Sequence, residues 1–230
     1  MENIVVGIEG PVGSGKTSIC RNLLDKIPSS VLVNGGNIYR AIVYAIINTG
    51  VTLEELEKSS DNINIKEMMD KYNVTIDFEN KETILKLGDK KILEEDLQSP
   101  LVSMAVSKVS GSAKNKELFL FARDLIDDLR NEYNVIVAGR SLNIIYPNLS
   151  YHLFVTASLD KRVERKCMQY NVIPNTEEGL KIKENVIVRD KLQEKSGYYK
   201  IYDNTIVIDT SNALSIEEST NMVLDKIDLN

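Results

Sequence analysis

The chain has 230 residues, a formal net charge of -6 at pH 7 and 43% hydrophobic residues. This length suffices for one sizeable core, so we expect one main domain over residues 1–230. The acidic balance argues against a generic nucleic-acid-binding protein, because such proteins need a positive field to displace the counterions of the phosphate backbone. Cys20 and Cys167 lack a metal-site or redox spacing, no signal-peptide pattern opens the chain, and no apolar run reaches membrane-span length. We therefore expect a cytoplasmic protein without membrane or nucleic-acid partners.

The first elements are a short apolar segment and a glycine-rich loop. Residues 4–8 have the composition of a buried strand, and residues 10–17 read Gly-Pro-Val-Gly-Ser-Gly-Lys-Thr. This matches the phosphate-binding pattern G-x-x-x-x-G-K-[ST], in which backbone N–H groups and the N-terminus of the next helix surround phosphate oxygens. Ile19, Leu23 and Leu24 give that next helix an apolar face. The sequence therefore predicts a nucleoside triphosphate site.

Each loop residue is a candidate ligand of the nucleotide. The predicted binding residues are Gly10, Pro11, Val12, Gly13, Ser14, Gly15, Lys16 and Thr17. In this motif the lysine reaches the β- and γ-phosphates and the hydroxyl residue binds Mg²⁺, so these roles are expected of Lys16 and Thr17.

Strands and helices alternate along the rest of the chain. Residues 31–33 predict a strand and residues 38–50 a helix, residues 51–70 are polar and irregular, and residues 74–87 predict a hairpin that forms a small inserted antiparallel unit. Helices are predicted after Ser99-Pro100, from about residue 115, around Arg162, after Thr176 and after Ser215; strands are predicted at 134–138, 152–155 and 205–209. Five apolar strands separated by helices predict an α/β fold with a parallel five-stranded sheet and helices on both faces.

Several arginines follow predicted strands. Arg40 follows the second strand, Arg140 the 134–138 strand, and Arg162 and Arg165 the 152–155 strand. Ligands of open parallel sheets bind outside the carboxyl ends of the strands. These guanidinium groups are therefore expected to converge opposite the loop, which fits two anionic substrates. His152, the one histidine, is expected to be structural rather than a general base.

In this order the segments resemble the cytidylate kinase family of nucleoside monophosphate kinases over nearly the whole chain. The residues that carry the resemblance are the loop 10–16, Gly36-x-x-Tyr39-Arg40, the hairpin with Ser107-Lys108-Val109 after it, Gly139-Arg140, Arg162-x-x-Arg165, Arg189-Asp190 and Ile208-Asp209-Thr210. The resemblance implies a three-layer P-loop kinase fold, a monophosphate-binding insertion near residues 59–105 and a short helical lid near residues 160–195. It also implies a monomer with small-molecule nucleotide substrates.

The resemblance implies transfer of the γ-phosphoryl group of ATP, with Mg²⁺, to CMP or dCMP, giving ADP and CDP or dCDP. The implied catalytic residues are Lys16, Arg140, Arg162, Arg165 and Arg189. The implied acceptor-binding residues are Gly35, Tyr39, Arg40, Ser107, Lys116, Arg140, Ser141 and Arg189.

The chain departs from the family pattern where the base and sugar are read. Asn34-Gly35-Gly36 replaces Asp-Ser-Gly, Ser141 replaces an aspartate, Lys116 an arginine, Gln193 the second aspartate of the lid and Ser196 its last arginine. Phosphate-handling residues are kept, so a P-loop kinase for another nucleotide or small metabolite stays open, as does a nucleotide-binding protein without turnover. A nucleotide-binding protein without turnover would not need acceptor-side arginines such as Arg40, Arg140 and Arg189.

Overall fold

One mixed β-sheet organises the protein in the computed structural model, which describes residues 2–50, 52, 54, 65–109 and 116–228. The strands are β1 (Val5–Glu9), β2 (Ser30–Asn34), β3 (Val74–Glu79), β4 (Glu82–Leu87), β5 (Lys90–Lys91), β6 (Asn134–Ala138), β7 (Tyr151–Thr156) and β8 (Thr205–Asp209). Within these described ranges the order across the sheet is β3-β4-β2-β6-β1-β7-β8, and β5 pairs with β4.

Five adjacent strands, β2, β6, β1, β7 and β8, confirm the predicted parallel sheet. β2 pairs in parallel with β6, β6 with β1, β1 with β7 and β7 with β8. The predicted hairpin is present as β3 and β4, but it is not a separate sheet, because β4 runs parallel to β2 at Leu32 and Glu82. The Leu32 N–H donates to the Lys81 carbonyl over 2.8 Å. The hairpin thus widens the sheet and covers the edge that β2 would otherwise expose.

Helices connect the strands. They are α1 (Lys16–Lys26), α2 (Gly35–Asn48), α3 (Ile65–Lys71), α4 (Glu94–Leu97), α5 (Pro100–Val109), α6 (Lys116–Arg130), α7 (Leu142–Ile145), α8 (Leu159–Gln169), α9 (Glu177–Lys195) and α10 (Ile216–Leu224). The short helices α3, α4 and α7 were not predicted. α2 begins three residues earlier than predicted, because the Asn34 side chain accepts the Asn37 N–H and so caps a first turn that contains both glycines.

Alternate residues of the strands point into two separate cores. Val31, Val33, Val135 and Val137 pack against α2, α5 and α6 on one face. On the other face, strand residues pack against α1 and α10; they are Val6, Ile8, Leu32, Ile136, Leu153, Val155 and Ile208. This period-two division confirms that helices cover both faces of the sheet.

A third, smaller cluster joins the loop to the predicted lid region. Val12 of the loop packs with Val163 and Cys167 of α8 and with Val186 of α9. The segment predicted as a lid, residues 160–195, therefore consists of two helices that rest on the phosphate-binding loop in this structure. The predicted insertion, residues 59–105, is described from residue 65 onward.

Candidate active site

The glycine-rich loop is tightly enclosed by neighbouring backbone. Gly10 has φ +147°, and a Cβ atom there would lie 1.9 Å from the Val155 carbonyl oxygen. Gly13 has φ +79°, and its Cβ would lie 2.7 Å from the Arg162 carbonyl oxygen. Only glycine fits both positions, because a side chain would be strained by the backbone angle and would also clash. The pattern residues therefore let the loop turn between β7 and α8.

Lys16 opens α1 and folds back over the loop. Its Nζ donates to the carbonyl oxygens of Gly10 (2.7 Å) and Pro11 (2.8 Å). Burial, followed by the positive charges of Arg140, Lys166 and Arg189, lowers the pKa of Lys16 to about 7. A bound anion would stabilise the charged form of the amine and raise its pKa again, so the surroundings of Lys16 favour binding of a phosphate group.

A cavity of about 940 Å³ joins the loop to the predicted acceptor side. Lys16 and Thr17 line one part of it, and Arg40, Arg140 and Arg189 line another. These arginines come from α2, from the turn after β6 and from α9, so three distant sequence segments meet at the cavity. Gly35, Tyr39, Ser141 and Arg165 also line the cavity. The side chains of Ser107 and Lys116 lie outside the described part of the structure.

Burial, and for Arg40 and Arg140 neighbouring positive charge, lowers the pKa values of the acceptor-side arginines. Burial, then Arg140 and Arg189, lowers the pKa of Arg40 to about 10. Burial is also the first cause of the lowered pKa values of Arg140 and Arg189. Such a concentration of positive charge is unfavourable by itself and becomes favourable when an anion binds among the cations.

Lys166 is a further buried cation of the cavity that was not predicted as a site residue. It lines the cavity, and burial followed by Arg189 and Arg40 lowers its pKa to about 8. In the sequence, only its place on a basic helix after a strand pointed to the site. A lysine on such a helix is most often solvated, and the burial of Lys166 becomes visible only from the packing of α8 over the loop.

Two of the predicted arginines attach the lid region to the loop. Arg162 is buried and donates to the carbonyl oxygens of Ala157 and Val12, each over 3.0 Å, and it pairs with Asp190. Arg165 donates to the Ser14 carbonyl over 3.0 Å and to Thr210. Both side chains thus hold α8 against the loop, and of the two Arg165 also lines the cavity.

Among the residues that the structure describes, three polar atoms of the cavity lining have no hydrogen-bond partner. They are Tyr39 Oη, Arg40 Nε and Arg189 Nε, each buried. Burial, followed by Tyr198, also raises the pKa of Tyr39, so this hydroxyl stays protonated. Because buried donors are nearly always satisfied in folded proteins, these atoms indicate a place where a polar ligand belongs.

The cavity also has an apolar part. Val106 of α5 and Phe119, Ala122 and Leu125 of α6 line it. A largely apolar wall beside a few fixed polar groups is typical of small-ligand sites. The cavity therefore offers an anion site and an adjoining surface suited to a flat, weakly polar group.

The tyrosines after α9 pack around the site. Arg140 lies over the ring of Tyr198 at 5.7 Å, and Tyr199 donates a hydrogen bond to Asp190 over 2.9 Å. Tyr198 lines the cavity, and Tyr199 packs edge-on against Phe154. Among the described helices, none has both the length and the apolar character needed to cross a membrane.

Comparison with known proteins matches the chain to one family. The family model described as cytidylate kinase matches residues 6–229. The chain belongs to the cytidylate kinase family. This membership confirms an ATP-dependent nucleoside monophosphate kinase, the class that the sequence predicts.

Individual relatives align from end to end. A cytidylate kinase of Clostridium botulinum (strain Langeland) is 28% identical over 99% of this chain and 97% of its own length. A cytidylate kinase of Thermotoga sp. (strain RQ2) is 31% identical over 96% of this chain and 94% of its own. Among solved structures, thymidylate kinase from Candida albicans aligns with 98% of this chain and 91% of its own at 12% identity and a TM-score of 0.45.

Proposed function

We propose that the protein transfers the γ-phosphoryl group of ATP to CMP or dCMP, giving ADP and CDP or dCDP. The observation that carries the acceptor side is the group of unpartnered buried atoms on Tyr39, Arg40 and Arg189 beside the phosphate-binding loop. A monophosphate has both the charge and the acceptor oxygens that would satisfy these donors. The relatives named cytidylate kinase support cytosine as the base.

The loop would hold the donor. Its backbone N–H groups and the N-terminus of α1 would surround the ATP phosphates, and Lys16 would leave the Gly10 and Pro11 carbonyls for the phosphate in transit. Mg²⁺ takes hard oxygen ligands and keeps several waters, so one hydroxyl with the nucleotide phosphates is a fitting donor set. Thr17 lines the cavity next to Lys16 and would supply that hydroxyl. Bound Mg²⁺ would neutralise charge on the phosphates.

Arg40, Arg140 and Arg189 would hold the acceptor phosphate through planar, paired hydrogen bonds. Lys166 would add charge between the two phosphates, because it lines the cavity and its positive charge acts both on Lys16 of the loop and on Arg40 of the acceptor side. Arg165 would act from the cavity wall, and Arg162 through its bond to Val12 of the loop. Phosphoryl transfer depends on such positioning and charge neutralisation more than on covalent chemistry.

The nucleoside of the acceptor would occupy the apolar part of the cavity. Phe119, Ala122 and Leu125 would contact the base, with Ser141 as a polar neighbour and Gly35 near the sugar. The roles proposed for Ser107 and Lys116 rest on the family resemblance alone. Gly35 and Ser141 stand where the family pattern has a serine and an aspartate that contact the sugar and the base. We therefore expect weaker discrimination among pyrimidines than in a protein that keeps both residues. We further propose a cytoplasmic monomer.

An ADP-release assay with Mg-ATP and a panel of CMP, dCMP, UMP, AMP, GMP and dTMP tests the proposal. We expect the highest kcat/KM with CMP or dCMP and loss of turnover in Lys16→Ala. The matched control is Lys26→Ala, at the other end of α1, where Lys26 pairs with Glu217 away from the cavity. Preference for another acceptor would overturn the substrate, and ATP binding without any transfer would overturn the reaction.

A further inference from the structure

The side chain of Glu9 joins the phosphate-binding loop to the turn that carries Arg140. Glu9 is the last residue of β1 and directly precedes Gly10, the first residue of the loop. Its carboxylate accepts the backbone N–H of Ser141 (Oε2, 3.2 Å) and that of Leu142 (Oε1, 2.5 Å). One residue therefore fixes the start of the donor loop and the residues that follow Arg140.

The carboxylate is itself held in place from the other side. Glu9 is 3% exposed, and its Oε1 lies 3.0 Å from Nε2 of His152. The other ring nitrogen of His152 lies 2.8 Å from the Thr205 hydroxyl of β8. A buried carboxylate is costly unless its hydrogen bonds are satisfied. Here two backbone N–H groups and His152 contact it, and Thr205 in turn orients the ring of His152.

The turn needs such support because its backbone is strained. Ser141 has φ +54°, in the left-handed region that non-glycine residues rarely adopt, and its side chain does not cap α7. Positions of this kind persist when surrounding contacts hold them. The two hydrogen bonds that the Glu9 carboxylate accepts supply such contacts, because they fix the N–H groups of Ser141 and of the next residue.

The guanidinium of Arg140 is held less firmly than the turn. No carboxylate pairs with it among the residues that the structure describes, and it lies over the ring of Tyr198. The negative charge of Glu9 is among the influences that favour the charged form of Arg140. The position of Arg140 relative to the loop thus depends mainly on its backbone, and the hydrogen bonds to Glu9 hold that backbone in place.

We propose that Glu9 is a positioning residue that aligns Arg140, and with it the acceptor phosphate, with the γ-phosphate on the loop. This inference rests on the proposed role of Arg140 as an anchor of the acceptor phosphate. Displacement of Arg140 would weaken its hold on the acceptor phosphate, and in-line transfer is itself sensitive to displacements of about 1 Å. Loss of these bonds would therefore raise the acceptor KM and reduce transfer without removing any group that touches a substrate.

The test is Glu9→Gln, which keeps the length of the side chain but leaves one carbonyl oxygen for two backbone N–H groups. We expect the KM for the acceptor to rise about tenfold, with the Kd for ATP within about twofold of the parent protein. The control for general destabilisation is Asn134→Ala, which breaks side-chain bonds to Ile4 and Pro28 at the opposite end of the sheet. It should lower the thermal midpoint and leave the acceptor KM unchanged.

A double-mutant cycle with Arg140→Gln separates positioning from structure. If Glu9 acts through Arg140, Glu9→Gln changes the acceptor KM far less in the Arg140→Gln background than in the parent, whereas additive effects would overturn the inference. An unchanged acceptor KM in Glu9→Gln would also overturn it. If Arg140→Gln alone leaves the acceptor KM unchanged, the proposed role of Arg140 fails instead.

A second variant covers the case in which Glu9→Gln does not fold. Glu9→Asp keeps the charge and shortens the side chain by one methylene, so it cannot reach both N–H groups. We expect a several-fold rise in the acceptor KM from it as well. A parent-like acceptor KM in this variant would contradict the inference.

Discussion

Asp190 of α9 accepts a hydrogen bond from the backbone N–H of Val12 in the phosphate-binding loop, with the two atoms 3.3 Å apart. The same carboxylate pairs with Arg162 and accepts the Tyr199 hydroxyl. Arg162 in turn donates to the Val12 carbonyl. Both backbone groups of Val12 are therefore bound by a pair of charged residues from the lid region, which links the geometry of the loop to the position of that region.

Asp190→Asn should lower stability and weaken ATP binding together. The Arg162 and Asp190 side chains are 10% and 19% exposed, so neutralising one leaves a mostly buried charge unpaired. We expect the free energy of unfolding to fall by about 3 kcal/mol and the Kd for ATP to rise several-fold. Urea unfolding and titration calorimetry measure the two effects.

The control for Asp190→Asn is Asp160→Asn, which removes a pair between the same two helices. Asp160 and Lys183 are 87% and 41% exposed and are well solvated. This variant should leave both stability and ATP binding nearly unchanged. Equal effects from the two substitutions would contradict the importance of the contact with Val12.

Gly13→Ala should raise the Kd for ATP by more than the strain from its positive φ alone would cause. The added methyl would lie 2.7 Å from the Arg162 carbonyl and so push α8 away from the loop. Gly50→Ala has a similar φ of +86° with no atom within 4 Å, and should cost about 1 kcal/mol of stability without changing ATP affinity. A parent-like Kd for ATP in Gly13→Ala would show that α8 does not constrain the loop.

Arg40→Gln should act on the acceptor alone. Loss of a charged hydrogen bond to a phosphate typically costs 10- to 100-fold, so we expect the acceptor KM to rise by about that factor while the Kd for ATP stays within about threefold. Steady-state kinetics with each substrate varied in turn makes the distinction. Lys26→Gln, an equal charge change outside the cavity, is the matched control, and a larger effect on ATP than on the acceptor would place Arg40 on the donor side.

Binding of Mg-ATP should take up protons at pH 8. Without ligand the pKa of Lys16 is lowered to about 7, so the amine is mostly neutral at pH 8; phosphate raises this pKa and the amine gains a proton. Affinity should therefore fall as pH rises above about 7. Calorimetry in buffers of different ionisation enthalpy should give about one proton from Lys16 at pH 8, together with a smaller part from Lys166. It should give much less at pH 6, where both amines are already charged.

The control for proton uptake is Lys16→Met. At saturating ATP it should retain only the smaller uptake from Lys166, whose pKa is lowered to about 8. Binding enthalpies that do not depend on the buffer at pH 8 would contradict the ionisation of Lys16 described here.

Local patterns were sufficient to predict most of the fold. The buried strands and the loop follow from apolar runs and glycine spacing, and the cap at Thr176 is confirmed by its bond from the Gly179 N–H. The attachment of the hairpin to β2 was not predictable, because a single parallel pairing at Leu32 and Glu82 decides it and pairing partners leave no local signal.

The site was partly predictable for a related physical reason. Arg40 and Arg140 could be found because each follows a strand at the edge where ligands bind. Glu9 could not, since a glutamate that ends an apolar strand has no distinctive pattern, and its role depends on backbone N–H groups 132 and 133 positions away. Burial of Lys166 likewise depends on how α8 packs over the loop.

The central claim is that the phosphoryl group passes from ATP to a nucleoside monophosphate in one shared cavity. The most direct measurement uses ATP labelled with ³²P at the γ position, together with unlabelled CMP, and separates the products. We predict label in CDP, little in inorganic phosphate, and none in CDP with Lys16→Ala. Label released only as inorganic phosphate, or ATP bound without any transfer, would contradict the account.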